Sequence, residues 1–139
     1  MQGQMNVSRR IFEEVWDKGN LAAIDDLVDA NHVNHDPSAA QLPPGREGFK
    51  MFAAAYRSAF PDLKMMIEEQ VGEGDRVVTR WRAQGTHKGA LPGLPATGKS
   101  ATVTGIGIDR IVNGKIVESW ANWDQFGMLQ QLGAIPPEQ

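Results

Sequence analysis

Cysteine is absent from the 139 residues. That removes a disulfide framework, a thiolate metal site and a thiol nucleophile from consideration, and a reducing compartment fits. Basic charge is not in excess: Lys and Arg number 14 against 17 Asp and Glu, for a net charge of −3. A nucleic-acid binder would show a basic footprint, which is missing here. No apolar run approaches the ~18 residues of a membrane span. Met1 to Val7 is polar and lacks the charged-then-apolar pattern of a signal peptide. The expectation is a cytoplasmic protein that binds neither nucleic acid nor membrane, with Met5 as an alternative start to Met1. Linkers, repeats and low-complexity tracts are also missing, so residues 1–139 read as a single domain. A chain of this size buries about two-thirds of its unfolded surface and can hold a core without staples.

What is present is ordered as helices first and strands after, the pattern of an α+β domain. A first helix runs from about Asn6 to Lys18, with Ile11, Phe12, Val15 and Trp16 as its apolar stripe. Gly19-Asn20 stops it. A second, short helix turns Leu21, Ile24, Leu27 and Val28 inward. Asn31 to Pro37 then leaves the helix, because Pro37 disfavours helix at Asp36. Arg46 to Phe60 reads as a third helix, stopped by Pro61. From Asp62 the apolar period changes to two. Strands are predicted through Leu63–Val71, Arg76–His87, Lys99–Val112 and Lys115–Asp124, with a Gly/Pro loop over Gly89–Gly98. A last helical segment runs from Gln125 to Leu132. Gly105 and Gly107 inside a strand predict a bend or bulge. The expected architecture is a curved antiparallel sheet with three N-terminal helices around an apolar pocket.

The last strand carries the densest chemistry. Ile116, Glu118, Trp120, Asn122 and Asp124 share one face; Val117, Ser119, Ala121 and Trp123 share the other. Polar groups under a helical cover are costly without a partner or a task, so Asn122 and Asp124 are candidates. Asp124 is equally well explained as a helix cap. Its neighbours depend on the Asn113-Gly114 turn. A two-residue type I′ turn pairs Val112 with Lys115 and sets Asp124 beside Val103, Gly105 and Gly107. A type I turn with a glycine bulge sets it beside Thr102, Thr104, Ile106, Ile108 and Arg110. The second is favoured because it gathers apolar residues on one face. Arg110 then stands near Glu118 as an ion-pair partner.

His32, His35 and His87 are further candidates, each also readable as a structural histidine. No pair has the i, i+4 spacing of a helical metal site, and no metal is expected. The dinucleotide fingerprint and the Gly-x-Ser-x-Gly elbow are absent. Gly93 to Ser100 matches the spacing of a phosphate loop but holds Pro95 and leads into a strand, where a phosphate loop needs a helix.

Several short motifs occur together: Trp81-x-x-x-Gly85-Thr86-His87-x-Gly89, Gly93-Leu94-Pro95-x-Thr97-Gly98, Gly114-Lys115-Ile116-Val117-Glu118-x-Trp120, Trp123-Asp124 and Gln131-Leu132-Gly133. In combination they resemble the SnoaL-like polyketide cyclase family of the NTF2-like superfamily, over Val7 to Gly133. The resemblance implies a cone-shaped α+β barrel whose members close a polyketide ring by an intramolecular aldol reaction, with no metal and no cofactor. It implies an Asp at the end of the last long strand as general acid/base, here Asp124, and a polar pocket partner at Asn122. The Asn34–His35 region maps to a further polar position, assigned to His35. The strand before the hairpin is expected to offer that Asp a polar partner, where this chain has Ile108 and Arg110. A homodimer through the open sheet face is implied as well, with Trp123 as an interface candidate.

The working hypothesis is an acid/base enzyme acting on a small apolar carbonyl substrate. Asp124 removes a proton beside the carbonyl, and His35, His87 or Asn122 donates a hydrogen bond to the enolate. Trp81, Trp120, Ile106 and Phe60 form the wall, with Ile108 and Arg110 as further substrate-binding positions. The alternatives are a small-molecule-binding domain without chemistry and an epoxide hydrolase or isomerase of the same fold, since fold alone does not fix function.

Overall fold

The computed structural model describes residues 2–135. Met1, one of the two candidate starts, lies outside them. Helix α1 (Gln2–Arg10) continues as wider π-helical turns through Ile11–Asp17. Ile11, Phe12 and Val15 are buried there, as the stripe predicts. Gly19 ends the segment at φ 74°, a left-handed conformation that favours glycine. A 3₁₀ turn (Leu21–Ala23) leads into the one-turn α2 (Ile24–Leu27). Helix α3 spans Gly45–Ala59 and α4 spans Gln125–Gln131.

The sheet holds β1 (Val28–Asn34), β2 (Lys64–Glu73), β3 (Arg76–Thr86), β4 (Ser100–Val112) and β5 (Lys115–Trp123), in the spatial order β1-β5-β4-β3-β2. Strand β1 departs from the sequence reading, which put Val28 in the second helix and had Asn31 to Pro37 leave it without forming a strand. It runs parallel to β5 and makes the sheet mixed at that edge. Its apolar alternation is short, and its pairing partner lies more than eighty residues away. The sheet curves around its concave face without closing into a barrel, and the helices cover that face.

The hairpin β4–β5 settles the register. Asn113 (φ 53°) and Gly114 (φ 76°) both take the left-handed conformation of a type I′ turn, and Val112 pairs with Lys115. This is the turn that the sequence reading did not favour. One rung further on, the register shifts: Ile111 pairs with Ile116 and Arg110 with Glu118, so Val117 is the extra residue of a β-bulge. The bulge restores the parity of the favoured register. Asp124 therefore does share a face with Thr104, Ile106 and Ile108, and its N–H donates to the Thr104 carbonyl at 3.0 Å.

Two apolar clusters close the ends of the concave face. Ile11, Val15, Ile24, Leu27, Val28, Val77, Ile111 and Ile116 pack at one end; Ala59, Phe60, Leu91, Ala101, Met128 and Leu132 pack at the other. Arg57 ties the helices to the sheet entry. Its guanidinium donates to the carbonyls of Trp16, Asp17, Pro61 and Leu63 at 3.0–3.3 Å. Among the described residues, no helix is long and apolar enough to cross a membrane.

Candidate active site

Between the two clusters lies a cavity of about 140 Å³, open to the surface. Small residues on the concave face make the room: Ala83 on β3, Ala101 and Gly107 on β4, Ala121 on β5. Gly105 belongs to the same device. It pairs with Trp81, and a Cβ there would overlap the Trp81 ring and the Trp123 Cβ. The glycine that suggested a bend is a space for an indole. Phe12, Trp16, Phe52, Tyr56, Phe60, Trp81 and Trp123 supply the apolar wall.

Two carboxylates border this cavity: Asp36, which caps the 3₁₀ turn Pro37–Ala39, and, on the sheet, Asp109. It stands on β4 in phase with Ala101, Val103, Gly105 and Gly107, and pairs across to Ser119. Ser119 Oγ donates to Asp109 Oδ1 and Ser8 Oγ donates to Oδ2, both at 2.8 Å. Its side chain is half-buried and borders the cavity. Burial raises its pKa above the ordinary carboxylate range, and the two serine hydrogen bonds only partly oppose that. Ser8 is also 3.4 Å from Thr79 Oγ1, which accepts from Gln70 Nε2 at 3.1 Å. His32, 2 % exposed, places Nε2 3.0 Å from Ser119 Oγ.

Further polar groups stand around the same space. Tyr56 lines it, and burial together with the nearby Asp36 pushes its phenol up to about 12, so it is a neutral donor at pH 7. Asn34 and Gln84 line it too. Trp123 Nε1 donates to Ser38 Oγ at 3.1 Å, and Ser38 Oγ donates to Asp36 at 2.7 Å. Trp123, expected at an interface, is instead part of the wall and packs edge-on against Tyr56.

The residues singled out in the sequence are divided by this geometry. Trp81 and Phe60 line the cavity. Asp124 does not: it is exposed and caps α4, accepting from Gly127 N–H at 2.8 Å. Asn122 is exposed on the same convex face, and Ile106 is 51 % exposed there. Ile108 pairs with Trp120 on that face, and Arg110 is bound to Glu118 at 3.1 Å. The Trp120 backbone borders the cavity beside Gly107. Its ring, however, lies between His35, stacked at 5.0 Å, and the Arg76 guanidinium at 5.2 Å. His35 bonds Glu118 at 2.7 Å and holds that carboxylate's pKa down; it is Asn34 beside it that lines the cavity. His87 is fully buried, accepts from Thr97 N–H at Nδ1, and pins the Gly/Pro loop. The physical reason for the correction is one of sides. The helices pack on the odd-numbered face of β4 and β5, so the polar run ending in Asp124 faces water.

Sequence reasoning missed Asp109, Ser119, Ser8 and Tyr56. One signal was available: a single acidic residue in phase with alanine, valine and glycine along β4. No three His, Asp or Glu side chains among the described residues converge as metal ligands do.

Comparison with known proteins agrees with this architecture. The family model for SnoaL-like polyketide cyclase matches residues 6–132. Aklanonic acid methyl ester cyclase DnrD of Streptomyces peucetius is 32 % identical over 139 residues, covering 96 % of this chain and 92 % of that protein. Nogalonic acid methyl ester cyclase of Streptomyces nogalater is 26 % identical over 125 residues, covering 88 % and 92 %. The crystal structure of IdmH from Streptomyces antibioticus superposes with a TM-score of 0.80 at 32 % identity, covering 94 % and 98 %.

Proposed function

The chain belongs to the SnoaL-like polyketide cyclase family, and on that premise we propose that it closes a ring in a small polyketide-type carbonyl substrate, with Asp109 as general acid/base. The observation that carries the reading is the Asp109 carboxylate at the wall of an apolar cavity, held by two serine hydroxyls and made more basic by burial, whereas the other acid there, Asp36, is engaged by Ser38 N–H and Oγ. A general base works best with a pKa near the working pH, and burial is the usual means of raising a carboxyl toward it.

The step balances within the substrate and one carboxyl group. Asp109 takes a proton from a carbon next to a carbonyl, leaving an enolate. The enolate carbon attacks a second carbonyl of the same molecule, forming one C–C bond. The alkoxide so formed takes the proton back from Asp109. The neutral Tyr56 phenol and the Asn34 amide are the donors for the oxygen that carries charge. Proton transfer by a placed group contributes about 10²–10⁴-fold, and a preorganised donor to the oxyanion about 10²–10³-fold. A cavity of ~150 Å³ holds a benzene-sized ligand, so the enclosed part accommodates the reacting ring while the rest of the substrate lies toward the opening.

The test uses aklanonic acid methyl ester and nogalonic acid methyl ester, the substrates named for the relatives, with wild type, Asp109→Asn and Asp124→Ala. Loss of ring closure in Asp109→Asn with retention in Asp124→Ala supports the assignment. Retention in Asp109→Asn overturns it. Tight binding by wild type with both esters returned unchanged supports a binding domain instead. We also propose a homodimer through the convex sheet face, where Ile106 is half exposed and Ile108 pairs with Val78 further along the same face. A monomer mass in light scattering would refute it.

A further inference from the structure

The hydroxyls around Asp109 admit one hydrogen count. Each serine has a single hydroxyl proton. With the carboxylate ionised, Ser119 gives its proton to Oδ1 and Ser8 gives its proton to Oδ2. Ser119 Oγ can then only accept from His32, so the proton of that imidazole sits on Nε2. Ser8 Oγ likewise accepts from the Thr79 hydroxyl, and Thr79 accepts from the Gln70 amide. Two donor lines thus converge on one carboxylate: Gln70 to Thr79 to Ser8, and His32 to Ser119.

From this arrangement we infer that His32 is a positioning residue, a neutral Nε2–H donor that fixes the Ser119 proton toward Asp109 and leaves the proton Asp109 takes from substrate no exit through the protein. The Gln70 amide cannot relay a proton, and His32 Nε2 already carries one. A proton taken by Asp109 therefore stays there until the substrate alkoxide or cavity water receives it, which is what a reaction with no net proton change requires. The inference rests on the reading of Asp109 as the base.

Other features agree. His32 Nδ1 is buried with no hydrogen-bond partner. An orphaned buried N–H is rarer in proteins than an under-used acceptor, so a bare Nδ1 is the cheaper tautomer. Becoming imidazolium would need a partner for a second N–H, and the ring packs edge-on against Phe49 instead. Burial lowers its pKa to about 4, with Asp29 and Glu118 opposing and His35 adding to the effect. His32 also lines a second cavity, bounded by Val33, Leu42, Pro43 and Phe49.

The deciding experiment is a long-range ¹⁵N–¹H correlation spectrum of histidine-labelled protein, followed from pH 8 to about pH 5. The expected result is a His32 ring protonated at Nε2 only, with no titration in that range. A ring protonated at Nδ1 at neutral pH, or one that titrates near the ordinary ~6.5, overturns the inference. His32→Phe and His32→Gln supply the second readout, the carboxyl ¹³C titration of Asp109. His32→Phe removes the donor and its cooperative share of the Ser119 bond, so the Asp109 pKa moves up by a few tenths of a unit. His32→Gln keeps an N–H near the same place and moves it less. An Asp109 titration unchanged in His32→Phe also overturns the inference. Both measurements are independent of turnover: if Asp109→Asn still cyclises while His32 shows the Nε2–H tautomer, the base assignment fails and the hydrogen-bond order stands.

Discussion

Asp109→Asn exposes the energetic cost of the site most directly. Two effects compete at the carboxylate. Hydrogen bonds to a charged group contribute roughly 1.5–3 kcal/mol each, and Asp109 accepts two, from Ser8 and Ser119. Removing an ion from water costs several kcal/mol even after relaxation. The raised pKa means that desolvation outweighs the two bonds. A carboxyl whose folded pKa lies above its unfolded value contributes stability that is full below the unfolded value, ~3.9, and lost as pH rises through the folded value. At neutral pH the ionised Asp109 is therefore a net liability. Asparagine keeps the shape and one acceptor oxygen, and one serine hydroxyl can rotate to accept from the amide. The variant should be more stable than wild type at pH 7 by about 0.5–2 kcal/mol, the usual range of a single stabilising change. At ~2–4 °C per kcal/mol for a chain of this size, the Tm rises by about 1–8 °C. Thermal melts of both proteins from pH 4 to pH 8 check it: the gap should be small at pH 4 and open as pH rises. A variant less stable than wild type at pH 7, or a gap that does not change with pH, refutes the reasoning.

Asp124→Ala should lose about 1 kcal/mol, the usual cost of an N-cap, while ring closure and the Asp109 titration are unaffected; urea melts and the ester assay check both. Gly105→Ala forces a methyl group against the Trp81 ring. It should cost about 1–3 kcal/mol as an overpacking change, with a shift in tryptophan emission where Trp81 moves. Arg57→Met leaves four carbonyls without their donor and should cost about 2–4 kcal/mol, since bonds to a charged group are among the stronger ones. A melt indistinguishable from wild type would show that water replaces the guanidinium.

The α+β class and most elements were legible because they rest on local signals. Ile11, Phe12 and Val15 sit at helical spacing and are buried. Val77, Thr79, Trp81 and Ala83 alternate on β3, and all four face inward. Strand β1 was not legible, because what makes it a strand is its parallel partner β5, distant in the chain. The turn at Asn113-Gly114 was visible, but the bulge at Val117 was not. No glycine or proline marks it, and it shifts the pairing by one residue without changing the turn.

The choice of face is the deeper difficulty, and it decides the site. Both faces of β5 carry a tryptophan and polar residues, so alternation alone does not say which one the helices cover. Side-chain volume does. A cavity under helices needs small residues opposite large ones, and the odd-numbered face of β4 and β5 supplies Ala101, Gly105, Gly107, Ser119 and Ala121. The even-numbered face supplies Thr104, Ile106, Ile108, Trp120 and Asn122, with Ile106 half exposed to water. A polar cluster on the bulky face is solvated and costs little. A single acid on the small-residue face is desolvated, must find its own donors, and finds them in Ser8 and Ser119. The residue to seek in such a sheet is the lone charge in phase with glycine and alanine, one position from where the resemblance placed a polar partner: between Ile108 and Arg110, Asp109.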